Sequence, residues 1–134
     1  MNAVTKQLVI HIQLDGESVV FVPLKRAFRD LLRPERLLVL EELHEACAFE
    51  RLQGTVVPIW MNPDNTLEFL APPHLHARVL AVSAHRLRAN LNRSIHVFDP
   101  APATLAVLGG VTAFKDNDPP RLRAVTSVGG GENR

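Results

Sequence analysis

The chain contains no tyrosine, one tryptophan and a single cysteine, and its charge is nearly balanced. Each shortage excludes something. One thiol, Cys47, permits no intrachain disulfide, which fits a reducing compartment. Few aromatic side chains leave little for stacking nucleic-acid bases. Fifteen Lys and Arg against fourteen Asp and Glu leave a formal charge of +1, so the whole molecule exerts almost no long-range pull on a phosphate backbone or an anionic membrane. No apolar run approaches the length of a membrane span. The segment Met1 to Lys6 has neither the basic start nor the apolar stretch of a secretory signal, and cytoplasm is the expected location. Twelve Arg to three Lys, with abundant Ala and Leu, is a composition typical of GC-rich bacterial genomes.

What is present is ordinary globular material. With 134 residues, 46% of them hydrophobic, the chain has the size of one domain and buries enough surface to fold without a staple. Residues 1–128 are expected to form a single domain, and Gly129 to Arg134 a flexible tail.

Leu8 to Leu14 alternates as a strand, with Leu8, Ile10, Ile12 and Leu14 on one face and His11 and Gln13 on the other. Asp15-Gly16 supplies the positive φ of a tight hairpin turn, Ser18 to Val22 returns as a second strand, and Pro23 is expected to end it. Leu24 to Leu32 reads as a short helix. Pro34 suits the first turn of a longer one running to about Leu52, with Leu37, Leu40, Leu43 and Cys47 on one face and Gly54 as its stop. Thr55 to Met61 and Thr66 to Leu70 flank the turn formers Asn62 to Asn65 as a second hairpin. His74 to about Asn92 reads as one helix with an apolar stripe of Ala77, Leu80, Ala84, Leu87 and Leu91. The remainder reads as strands: Ile95 to Phe98, then Leu105 to Leu108 and Val111 to Phe114 about Gly109-Gly110, then Arg121 to Val128 at an edge. The expected fold is α+β, antiparallel hairpins packed on two main helices in two layers, in the order ββααββαβββ. The hairpin-then-helix order occurs twice, but the residues hardly match, and chance recurrence explains it.

No phosphate-cradling glycine loop, nucleophile elbow, zinc-protease helix or paired Cys-x-x-Cys occurs. His44 and Cys47 share a helical face, as an activated thiol or half a metal site would require. Both also lie on the apolar stripe, where a cysteine behaves as a small hydrophobe. Glu41-x-x-His44 matches half of a carboxylate-bridged metal motif, and its second copy is absent. His76 and His85 lie on opposite faces of one helix and cannot meet at one ion, and His74 reads as a helix-start residue. No catalytic residue, cofactor or metal is therefore assigned.

Charge segregation is more informative. Glu35 to Leu52 carries five Glu and two Arg, whereas His74 to Arg93 carries four Arg and no acid. Arg78, His85 and Asn92 recur every seven residues, with Arg88 and Arg93 close by, and offer a basic face to an anionic partner. The plain alternative is a solvated face, or pairing with the acidic helix. The leading expectation is a non-enzymatic regulatory or adaptor protein that meets an acidic protein surface or itself, as a dimer. A nucleic-acid regulator working through helix 74–93 comes second, and a small enzyme using His44 and Cys47 third.

Overall fold

The computed structural model describes residues 4–64, 66–82, 84–91, 93–98, 100–108 and 121–124, with the side chains of 84, 85, 88 and 121–124 outside that description. Strand β1 spans Val4–Leu14 and β2 spans Glu17–Leu24. The turn between them takes φ of 52° at Asp15 and 84° at Gly16, the paired positive values that a two-residue hairpin of this hand requires. Helix α1, Arg33–Phe49, follows a short 3-10 turn at Arg26–Phe28. The second hairpin consists of β3, Thr55–Met61, and β4, Thr66–Phe69. Then come α2 at His76–Leu80, α3 at Ala84–Ala89, β5 at Arg93–Phe98, α4 at Pro102–Val107 and β6 at Arg121–Ala124.

The α+β class and both antiparallel hairpins follow the sequence reading. The hairpins are joined through α1 by a parallel β2–β3 pair, so the sheet is mixed, in the order β5-β1-β2-β3-β4-β6. Alternation along β1 sends Ile10, Ile12 and Leu14 to one face, as expected, but Val9 is buried on the other. Helix α1 packs on the second of these faces, where Val39, Leu43, Ala46 and Cys47 meet Val9, Val20, Val22, Trp60, Ile95 and Val97. The first face is closed by the segment from Leu75 to Leu87, which packs on Ile10, Phe21, Val57, Ile59, Leu67 and Phe69.

Several local expectations change. Pro23 does not end β2: its parallel partner is Ile59, and the strand runs on to Leu24. The buried face of α1 is Arg36, Val39, Leu43, Ala46 and Cys47, while Leu37 points to solvent. The helix stops before Gly54, because Arg51 takes the left-handed conformation at φ 61°. The Leu52 amide then donates to the Cys47 carbonyl and the Arg51 amide to that of Ala48, the two bonds of a Schellman end. Gly54 has another role. Its φ is 130°, and a Cβ there would fall on the Ser18 carbonyl, so only glycine lets β3 start beside β2.

The segment 74–92 is not one helix. Its buried positions among the described residues are Leu75, Val79, Val82 and Leu87, and the last step of five overshoots a helical turn by a residue. Dividing it into α2 and α3 returns Leu87 to the sheet, and Leu80 of the expected stripe is exposed. Residues 105–108 belong to a helix and its end, not to a strand: Pro102 occupies the first turn, and Thr104, Val107 and Leu108 are buried at helical spacing. The expected strands at 111–114 and 125–128 and the tail at 129–134 lie outside the described residues.

A candidate protein-contact groove

The His44–Cys47 pair is resolved by packing. Cys47 is buried against the sheet, and loss of solvation pushes its thiol up to about 11. A thiol so displaced carries little thiolate near neutral pH. His44 Nδ1 lies 3.0 Å from the Leu40 carbonyl, one helical turn back, so the ring satisfies its own helix. A groove of about 450 Å³ runs beside them, lined also by Arg51, Leu52, Gln53, Gly54 and Val56.

The histidines are dispersed. His74 Nε2 sits 3.1 Å from Glu17 Oε2, while His76 Nε2 lies 2.8 Å from the Ala71 carbonyl and its ring is edge-on to Phe69. Among the described residues, no three His, Cys, Asp or Glu side chains are grouped to hold an ion.

The basic face fares differently at each position. Arg78 on α2 reaches Asp15 at 3.3 Å and Glu17 at 3.1 Å, so its charge is answered by the β1–β2 turn and not by α1, which lies across the sheet. Arg78 and Asp15, with Arg86, line a groove of about 290 Å³. Arg93 is exposed but stands on β5, paired with Val9, and not on a helix. The side chains of His85 and Arg88, and Asn92 altogether, lie outside the described residues.

A different surface gathers several of the exposed apolar residues. Leu38, Glu42, Glu45 and Phe49 follow one another at steps of four, three and four, so they form one ridge on α1. Beside that ridge lies β5, the last strand at its end of the sheet, whose outer edge has no strand partner among the described residues. Glu42, Glu45, Ala46 and Phe49 of α1 and His96, Val97 and Phe98 of β5 line a groove of about 380 Å³. At its mouth Phe49 and Phe98 meet edge-on, with centroids 5.4 Å apart and planes at 73°. They remain 69% and 48% exposed, and Val4, directly opposite Phe98 on β1, is exposed too. His96 Nδ1 lies 3.3 Å from Glu50 Oε2.

Glu42 is held from behind. Its Oε1 accepts the Ala101 amide at 3.1 Å, just before the first turn of α4. Its Oε2 is buried with no hydrogen-bond donor among the described residues. The acidic content of α1 was legible in the sequence. That Phe98, about fifty residues away, stands beside it was not, because a one-strand segment carries no record of which helix its side chains approach.

No helix of the described residues is long and apolar enough to cross a membrane. Comparison of the chain with protein-family models, curated proteins and solved structures gave no match in any of the three.

Proposed function

We propose that this chain is a small regulatory or adaptor protein of the bacterial cytoplasm that acts through protein–protein contacts, and that its contact surface is the α1–β5 groove. The observation that carries this reading is the exposed Phe49–Phe98 pair at the mouth of a groove beside a strand edge that has no partner among the described residues. Two aromatic rings left partly in water forgo burial that would stabilise each by about 1–2 kcal/mol, a part of the full-burial value, and paired rings of this kind are typical anchors of interfaces. An open edge adds unpaired backbone donors and acceptors that a partner strand can meet. In the groove, apolar surface also lies beside Glu42, whose Oε2 has no hydrogen-bond donor among the described residues.

The nucleic-acid reading loses its central residue, since Arg78 is engaged by Asp15 and Glu17. The thiol-enzyme reading is disfavoured by the buried, raised Cys47. The test is affinity isolation from source cells with the wild-type chain and with Phe49→Ser/Phe98→Ser, analysed by mass spectrometry. A protein retained by the first and lost by the second supports the reading. If no co-purifying protein depends on these two residues, the groove is not the contact surface.

A further inference from the structure

We propose that the α1–β5 groove receives an arginine side chain carried on an extended, apolar-flanked segment of a partner protein. This rests on the protein-contact reading above and names the chemistry of the contact. Four observations converge on it.

The first is charge. Glu42 and Glu45 stand in the groove wall, and no Lys or Arg lines it among the described residues. Among the described lining residues the basic group is His96, which is already beside Glu50, while Lys6 stands opposite it on β1 outside the lining. The second is the aromatic mouth. Phe49 and Phe98 expose ring surface next to the carboxylates, and a guanidinium stacks on such rings while its N–H groups reach an acid. The third is Glu42 itself. One oxygen is fixed by the Ala101 amide and the other is buried without a donor among the described residues, so the carboxylate is anchored in place and short of one hydrogen bond from them. An incoming guanidinium supplies that bond after a small side-chain shift. The fourth is the backbone. A segment laid along the outer edge of β5, which has no strand partner among the described residues, sends alternate side chains toward the α1 side of the sheet, the side to which Ile95 and Val97 point.

The same residues argue against a second copy as the occupant. A two-fold pairing of α1 ridges centred between positions 42 and 45 sets Glu42 opposite the copy's Glu45, twice, with no cation between them. Like charges held so close disfavour that pairing.

The test uses the full chain and three synthetic pentapeptides in which valine alternates with arginine, with citrulline or with glutamate. Amide chemical shifts in ¹⁵N-labelled protein are followed during titration. The arginine peptide is expected to move signals of β5 and the second half of α1. The neutral citrulline peptide should bind at least about tenfold more weakly and the glutamate peptide not at all. Glu42→Gln/Glu45→Gln, which keeps both shapes, should lower arginine-peptide affinity at least about tenfold, and added salt should weaken wild-type binding. Equal binding of the arginine and citrulline peptides, or shifts centred elsewhere, overturns the proposal. So does unchanged affinity in the double variant, provided its spectrum shows it folded.

A photo-crosslinking phenylalanine analogue at position 98, used in source cells, separates this failure from that of the broader reading. Attachment to an arginine-bearing segment of another protein supports the proposal. Attachment to a segment without arginine, or to a second copy of the chain, overturns it and leaves the protein-contact reading standing. No attached protein overturns both.

Discussion

The indole N–H of Trp60 donates to Glu68 Oε1 across 3.0 Å, between residues directly opposite each other on β3 and β4. Both are buried, and Arg29 Nη1 stands 3.5 Å from the same carboxylate oxygen. The ring of Phe28 lies 5.5 Å from that of Trp60, so the 3-10 turn before α1 is tied to the second hairpin through this cluster. A buried carboxylate is tolerable here because an N–H and a guanidinium both meet it.

Glu68→Ala leaves the Trp60 N–H buried without that acceptor and should destabilise the protein by about 1–3 kcal/mol. Glu68→Gln keeps an acceptor and should cost less. Urea denaturation followed by the fluorescence of the single tryptophan measures both. Equal costs for the two variants would show that charge, not the hydrogen bond, matters.

Cys47 gives a pH dependence of defined sign. Burial raises its thiol from the ordinary 9.0 to about 11, so the folded state holds the proton more tightly than the unfolded chain. This contribution is fully present below about pH 9 and is lost as pH rises through about 11, on the order of 2 kcal/mol in all. Cys47→Ala should lose this alkaline step while remaining folded, and a small thiol reagent should react slowly with the native wild type. Fast native labelling would contradict the burial.

The end of α1 makes opposite expectations for two neighbouring positions. Arg51→Gly removes a left-handed penalty of roughly 1–2 kcal/mol and adds unfolded-state freedom of about 0.5–1 kcal/mol, so stability should rise slightly. Gly54→Ala should destabilise by about 1–3 kcal/mol, because its φ is strained for alanine and the methyl group meets Ser18. Thermal melts of the two variants should move in opposite directions.

Arg78 bridges α2 to Asp15 and Glu17, but all three side chains are at least one-third exposed. Solvent screening then limits each pair to about 0.2–1 kcal/mol. A double-mutant cycle of Arg78→Gln with Glu17→Gln should report coupling of that size, shrinking at high salt. Coupling near zero at low salt would return Arg78 to the set of free cations available to an anionic partner.

Legibility followed the range of the cause. The β1–β2 turn was readable because Asp15 and Gly16 carry its positive φ within two residues. The β3–β4 loop was readable because Asn62 and Asp64 bond Thr66 locally. The start of α1 was readable because Pro34 and Glu35 act within one turn, the latter accepting the Leu32 amide. The end of α1 was misplaced because a non-glycine residue, Arg51, took the position that glycine usually fills. The segment 74–92 misled because Ala77, Leu80, Ala84, Leu87 and Leu91 are periodic enough for one helix, whereas Leu75, Val79, Val82 and Leu87 are the buried positions that meet the sheet among the described residues.

Composition and local spacing alone therefore determined the class of fold, both hairpins, the main helix and the acidic character of α1. Those features depend on backbone preferences and on neighbours within about one turn. The tertiary structure decided that β2 and β3 run parallel, that the sheet is buried on both faces, that Arg78 is answered by a hairpin turn, and that Phe98 meets Phe49 beside two glutamates. Each of these joins residues far apart in the chain. Their proximity depends on which apolar faces exclude water together, and that is a property of the packed whole.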